Sequence, residues 1–328
     1  MNQTHDPFQA PDGAAPEHGA ETLTRNGVSH PAKLSICIPA WRDAATPLLT
    51  SLANLPDHQV CEILIYDDGS ADPDMTAAIT SSLSGLKGPA TLITAHKNHG
   101  RSYARNRLMS HATSDWLLML DADMLPDDSK FLTRYLDAMS KQSDPALIAG
   151  GFSLQHVKET KAQALHAAQS RRSECLSADE RKTEPGRFVF TSNILAHRAV
   201  LDAVSFDDGY KGWGWEDVDW GLRVAQQFPV LHIDNTATHL GLDDTATLLR
   251  KYGTSGHNFS RLASQHPDAV RDMALYKVAR RLRGIPGRPV IAGISKYLAT
   301  DRFGLTPMPL RLLALKLYRS AVYSENLS

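Results

Sequence analysis

A chain of 328 residues with 42% apolar content is long enough to bury a substantial core, as one large domain or as a domain with an appendage. Its formal net charge of -1 argues against a dedicated nucleic-acid binder, which needs a clear basic excess to meet phosphates. Cys37, Cys61 and Cys175 sit in no CxxC or Cys/His spacing, so neither a disulfide framework nor a structural zinc is expected.

Residues 1–30 are rich in Pro, Gly, Ala and polar side chains without apolar period, and read as a disordered lead-in. They lack a basic start followed by an apolar block, and no run approaches a membrane-spanning length, so a cytoplasmic setting is expected. From Lys33 the character changes. KLSICIPAW and VCEILIYDDGS are short β-branched runs closed by turn formers, as buried strands are, and PLLTSLANL between them has helical spacing. A helix over Met75–Leu83, a strand ATLITA, a helix RSYARNRLMSHA and a strand DWLLMLDADM follow. This alternation predicts an α/β fold: a mostly parallel central sheet flanked by helices, with ligands beyond the carboxyl ends of the strands.

A helix near 130–142 leads to LIAGGFSL as one further strand. Residues 157–185 are charged, Ala-rich and helical in pattern, which suggests a mobile insertion over a site. RFVFTSNILAHRAVL reads as strand, turn and helix; PVLHIDNTATHLG reads as strand and loop. From residue 271 onward the chain holds eleven Lys/Arg and three Asp/Glu, and segments such as YKVARRLRG and PLRLLALKLYRS are amphipathic. Residues 266–328 are therefore expected to form a helical basic C-terminal extension. Either it lies on an anionic membrane surface, or its apolar faces pack back on the sheet domain.

Three acidic or basic stretches mark the strand ends. In DWLLMLDADML, Asp121 and Asp123 stand two apart, so in an extended segment both project from one side. No Lys or Arg is adjacent to offset them, and a divalent cation such as Mg²⁺ or Mn²⁺ would. The alternative is that Asp123 caps the turn at Pro126 while Asp121 faces water. In YDDGSAD the acids either accept bonds from a ribose or base, or form an Asx turn and helix cap through Asp68, Ser70 and Asp72. KNHGRSYARNR sets Lys97, Arg101, Arg105 and Arg107 around a Gly turn and a helix start, a setting suited to phosphate.

In this order and spacing, IPAW, YDDGSAD, NHGRSYARNR and LMLDADM resemble the nucleotide-sugar half of a family 2 glycosyltransferase with the GT-A fold, over about residues 34–242. The resemblance implies a Rossmann-like domain at 31–265, with a nucleotide-sugar half at 31–125 and an acceptor half at 126–265. It implies that Pro39, Ala40 and Trp41 line a uridine pocket, although Trp41 stands where such families often carry Tyr-Asn. It further implies that Asp67 or Asp68 reads base or ribose, that Arg101 and Arg105 hold the nucleotide, and that Asp121 and Ala122 flank the donor. Asp123, supported by Asp121, would bind Mn²⁺ or Mg²⁺.

GWGWEDVDWGLRV is similar to the WGxED segment of β-galactosyltransferases, chondroitin-polymerase-type enzymes and polypeptide N-acetylgalactosaminyltransferases. By that resemblance Asp217 is the catalytic base of an inverting transfer and Glu216 binds a hydroxyl, whereas helix capping alone is the structural alternative. His239 would complete the metal shell, with His232 as competitor. Ser192 and Asn193 would contact acceptor, and Trp213 and Trp215 would stack on a sugar or fill core. The implied partners are a UDP-sugar donor and a saccharide or lipid-linked saccharide acceptor, in cell-surface polysaccharide or lipopolysaccharide assembly. A sugar-nucleotide nucleotidyltransferase and a non-catalytic nucleotide-sugar-binding protein are the competing readings.

Overall fold

The computed structural model describes residues 21–207 and 209–327; most of the expected disordered lead-in lies outside the described residues. Its last part is ordered instead. Strand β1 (Thr22–Arg25) pairs antiparallel with β4 (Ala90–Thr94), and Glu21 beside it meets Arg107 at 2.7 Å and His111 at 3.1 Å. The bond from Arg107 leads in holding the Glu21 pKa down to about 2. A four-residue, largely exposed edge strand carries too little apolar pattern to stand out from a polar leader.

The core strands follow the expected order: β2 (Leu34–Ala40), β3 (Cys61–Asp67), then β4, then β5 (Trp116–Leu120). Helices α1 (Thr46–Asn54), α2 (Pro73–Leu83) and α3 (Arg101–His111) connect them. Asp72 caps α2, accepting from the N–H groups of Asp74 and Met75 with Pro73 opening the helix. Beyond β5 come β6 (Met124–Pro126), α4 (Phe131–Ser140), β7 (Leu147–Ala149) and β8 (Phe152–Ser153). Next are α5 (Ala164–Ser173), α6 (Ala178–Arg181), β9 (Asn193–His197), α7 (Arg198–Ala203), α8 (Glu216–Ala225), β10 (Val230–His232) and β11 (Ala237–His239). LIAGGFSL is thus two strands in different sheets, broken at the Gly-Gly pair.

The main sheet runs β1-β4-β3-β2-β5-β9-β7-β10, and a small sheet runs β6-β11-β8. Pairings within β4-β3-β2-β5 and between β7 and β10 are parallel, whereas β9 is antiparallel to both neighbours. The chain moves outward from β2 through β3 to β4 and returns to β5 on the other side of β2. A crevice opens where the order reverses.

Both sheet faces are covered, which explains the unbroken apolar runs. Ile36, Ile38, Ile63, Ile65, Leu118 and Leu120 face one buried layer with α1, α2 and α4. Cys37, Leu64, Tyr66, Leu117 and Met119 face the other, with α3, α7 and α8. The 157–185 insertion is anchored, contrary to the expectation of mobility. Arg181 is fully buried and donates to the carbonyls of Ala149, Gly150 and Ile233 at 2.8–3.1 Å.

Helices α9 (Thr245–Thr254), α10 (Gly256–Gln265), α11 (Pro267–Arg271), α12 (Ala274–Leu282), α13 (Arg288–Thr300) and α14 (Met308–Tyr323) complete the chain. The apolar face of α14 packs on α5 and α9 through Leu312 and Leu315, so part of the basic tail does fold back. The outer face of α13 does not: Val290, Ile294 and Tyr297 are all more than half exposed.

Candidate active site

Beyond β5, Asp121, Ala122 and Asp123 form a turn into β6, closed by the Met124 N–H donating to the Asp121 carbonyl at 3.1 Å. They are not an extended segment, so the two carboxylates do not share a side by strand alternation. Each has its own basic partner. Arg105, buried on α3, donates to Asp121 at 3.3 Å, so the offsetting charge comes from across the fold and not from sequence neighbours. Asp123 faces His239 Nε2 at 3.2 Å.

The register of β6 with β11 sets His239 opposite Met124, one residue past Asp123, and the Leu240 N–H donates to the Asp123 carbonyl at 2.9 Å. Burial works against both charged forms, yet their mutual attraction wins: the Asp123 pKa falls and the His239 pKa rises. His232 is elsewhere. It is buried between Arg181 at 2.9 Å and the Pro185 carbonyl at 2.9 Å, and takes no part in the site.

Gly241 closes over this pair. A Cβ there would lie 2.0 Å from Asp123 Oδ2 and 3.1 Å from His239 Nε2. Gly241→Ala should therefore keep the fold, because a carboxylate end moves more easily than backbone, while driving Asp123 from its place. If the Asp123 position matters for chemistry, turnover falls tenfold or more with little change in Tm. A wild-type rate in Gly241→Ala would remove Asp123 from the site.

At the end of β3, Asp67 accepts from the Ser70 N–H at 3.0 Å, and Asp68 accepts from the His99 and Gly100 N–H groups at 2.9 and 2.8 Å. Asp68 is thus engaged in tying YDDGS to the start of α3, and burial raises its pKa. Gly69 makes the contact feasible. With φ +69° it lies so near the Lys97 backbone that a Cβ would stand 2.2 Å from the carbonyl carbon. Pro39 and Ala40 end β2 at the same crevice, whereas Trp41 is half exposed with Arg42 over its ring at 4.7 Å.

The acidic pair arrives from the second half of the chain. Gly212 and Gly214 take positive φ, as does Trp215 at +79°, and α8 begins at Glu216. A bulky residue in that conformation must be held. Trp215 is clamped by Phe259 at 4.9 Å between centroids, by the Arg319 guanidinium 4.8 Å over its ring, and by a 3.4 Å bond from Nε1 to the Tyr323 hydroxyl. Trp213 packs on Tyr252 at 5.4 Å. Both tryptophans, each partly buried, pack against core clusters through these contacts.

Asp217 accepts from the Thr191 hydroxyl at 2.8 Å and the Thr191 N–H at 3.2 Å. Glu216 Oε2 is buried without a hydrogen-bond partner; burial first, then the neighbouring Asp217, raises the Glu216 pKa. Asp219 also lies in the first turn of α8. Its carboxylate is fully buried between Arg223 at 2.7 Å and His266 at 2.7 Å.

Arg105 connects the two halves. Although burial disfavours its charge, the fields of Asp121, Asp217 and Glu216 prevail and raise its pKa. Arg105 Nε, Ser192 Oγ and Glu216 Oε2 are all buried and without partners, and the Ser192 carbonyl accepts from the Asp121 N–H at 3.3 Å. Asn193, grouped with Ser192 in the sequence reading, is instead committed to the core. Its carbonyl oxygen accepts from Tyr135 at 2.7 Å, and its amide donates to Gly151 and Asn235 at 2.8 and 3.0 Å. Sequence spacing assigns no role to Thr191, to Gly241 or to Phe206, whose ring lies 5.7 Å beneath Arg105. Only the adjacency of Thr191 to Ser192 offered a cue.

No three acidic, His or Cys donors converge tightly enough to hold a metal ion unaided among the described residues. Asp123 with His239 supplies one oxygen and one nitrogen donor, which fits a cation that takes its remaining ligands from water and phosphate.

A profile described as Glycosyl transferase family 2 matches residues 35–204, just over half of the chain. The chain is 36% identical over 93 residues to the amylovoran biosynthesis glycosyltransferase AmsB of Erwinia amylovora, covering 27% of this chain and 30% of that one. It is 33% identical over 118 residues to a TPR repeat-containing protein of Synechococcus elongatus, covering 36% of this chain and 26% of that one. The matches thus span less than a third of either relative.

Among solved structures, the mannosyltransferase PcManGT of Pyrobaculum calidifontis, in complex with GDP-Man and Mn²⁺, superposes with a TM-score of 0.57 at 15% identity, over 91% of this chain and 88% of that one. Residues 1–349 of S. aureus TarS superpose at 0.50 and 14% identity, over 89% and 91%. Both share the fold.

Proposed function

Because this chain belongs to glycosyltransferase family 2 and carries its GT-A fold, we propose that it moves a hexose or N-acetylhexosamine from a UDP-sugar to a saccharide hydroxyl with inversion. What carries the reading is the convergence on Arg105. One buried guanidinium is shared by the DAD turn and the Glu216-Asp217 pair, beside three unpartnered buried polar atoms of Arg105, Ser192 and Glu216. Orphaned polar groups from both halves of the chain call for a polar ligand between them.

In this reading the acceptor oxygen forms a bond to the anomeric carbon as the bond to the departing diphosphate breaks, and UDP leaves with the electron pair. The acceptor proton goes to Asp217, which Thr191 holds in place. Glu216, with its pKa raised, is suited to bond a sugar hydroxyl. Arg105 and Arg101, at the start of α3, face the donor's negative charge, and Asp67 is the nearer candidate for the nucleoside because Asp68 is engaged. Asp123 and His239, with Asp121 beside them, would hold Mn²⁺ or Mg²⁺, which when bound neutralises charge on the leaving diphosphate. Residues 31–125 then serve the donor and 126–265 the acceptor.

Nucleotide release measured over a panel of UDP-sugars with Mn²⁺, and again after chelation, tests donor and metal together. We expect turnover with at least one UDP-sugar and its loss on chelation. PcManGT was solved with GDP-Man, so that donor belongs in the panel. Turnover with GDP-mannose alone would sink the UDP assignment, and full activity after chelation would sink the metal.

The acceptor side suggests a setting at the inner membrane face, in cell-surface polysaccharide or lipopolysaccharide assembly. No helix of the described residues is long and apolar enough to cross a membrane. Yet eight of the ten exposed large hydrophobics lie between Ile285 and Leu313. Residues 280–319 carry nine Lys/Arg against the single acid Asp301. Apolar side chains set among cations suit an anionic lipid surface and a lipid-linked acceptor. Co-sedimentation with vesicles containing phosphatidylglycerol should capture the protein, and Ile294→Glu should release it without loss of activity on a soluble acceptor. Equal capture by neutral vesicles, or none by either, defeats the placement.

A further inference from the structure

We infer that the cleft between α5 and α14 binds an oxyanion, a phosphate or carboxylate group, at a site separate from the one that holds the donor. The cleft has a cavity of about 110 Å³, room for a group of this kind. Arg172, Gln169 and Ser173 line it from α5, and Lys316 and Arg319 from α14, over a floor of two α14 leucines.

Arg319 makes the case. Its guanidinium is mostly buried and roofed by three aromatic faces, at 4.8 Å from Trp215, 4.5 Å from Tyr252 and 5.4 Å from Tyr323. Those rings are neutral and ease its desolvation without cancelling its charge. Its Nε donates to the Tyr323 hydroxyl at 3.3 Å, and it forms no ion pair with an acidic side chain among the described residues. Glu174 acts on it only from a distance. Arg172 and Lys316 are likewise without an acidic partner among the described residues, and both are exposed at the mouth of the cleft. Three cations around one cavity, one of them partly buried under aromatic rings, leave positive charge that no acidic side chain among the described residues offsets. Gln169 already donates to the Tyr252 hydroxyl and Ser173 to the Gln169 carbonyl, so the cations are the groups left for an oxyanion, with the second N–H of the Gln169 amide beside them.

The site has a structural consequence. An anion held here would brace α14 against α5 and, through Arg319 and Trp215, support the backbone kink immediately before Glu216 and Asp217.

Inorganic phosphate is the probe. In melts of the full chain at matched ionic strength, phosphate in place of chloride should raise the Tm along a saturable curve. The double variant R172Q/K316Q changes two exposed side chains outside the donor and acid groups, and should weaken that dependence tenfold or more. Absence of a phosphate-specific rise overturns the inference. So does an identical curve in the variant, because the phosphate would then sit at the donor site.

Transfer assays distinguish the source of the anion. If the acceptor brings it, the variant raises KM for a phosphate- or carboxylate-bearing acceptor but not for a neutral one, and free phosphate competes. If a free anion fills it, phosphate alters kcat with a neutral acceptor in the wild type and not in the variant. The melts need no turnover, so they stand apart from the sugar-transfer proposal.

Discussion

Asp217→Asn is expected to lower sugar transfer by about 10²–10⁴-fold, the range for loss of a general base, while the protein stays folded. Asparagine is isosteric, and its carbonyl oxygen can still accept from the Thr191 hydroxyl. Its NH₂ would then meet the Thr191 N–H, donor against donor, at a cost of about 1 kcal/mol. Nucleotide release by wild type and variant, read beside their melting curves, separates chemistry from stability. Wild-type turnover in the variant would take the proton-accepting role away from Asp217.

Asp219, two residues along the same helix, should behave in the opposite way. Its buried carboxylate lies between Arg223 and His266, so Asp219→Ala leaves the half-buried guanidinium without its counter-charge and the imidazole without its hydrogen-bond partner. Breaking such a pair costs about 3–5 kcal/mol, which lowers the Tm by roughly 4–7 °C in a chain of this size. Where the variant is folded, its KM for donor should match that of the wild type. A Tm within a degree of wild type would show that the pair contributes nothing. Together the two variants assign different tasks to acids that look alike in GWGWEDVDWG.

Strands buried on both faces were the most legible part of the sequence. Leu34–Ala40 and Cys61–Asp67 are nearly continuous apolar runs, and the second stops at the acids Asp67 and Asp68. The short strands of the small sheet were not, since two or three residues carry no period, and GG in LIAGGFSL hid a change of sheet. Site geometry was less legible still. That Asp121 meets Arg105 and Asp217 meets Thr191 depends on contacts between distant elements, which spacing does not encode. His239 stands beside Asp123, and His232 does not, because of strand register, a property of pairing and not of either strand alone. The resemblance implied an acceptor contact for Asn193, but its side chain already spends its hydrogen bonds inside the core, a commitment that position in a motif does not encode.

The clamp on Trp215 also orders events during synthesis. Its partner Tyr323 lies 108 residues further along the chain, so a ribosome-bound chain has translated the acidic pair long before the helix that fixes it. The proposed donor crevice is built from strands close in sequence, whereas the backbone ahead of Glu216 can gain its clamp only once α14 has emerged. On the proposed function, the donor half of a nascent chain would be complete before its acids were set to use it.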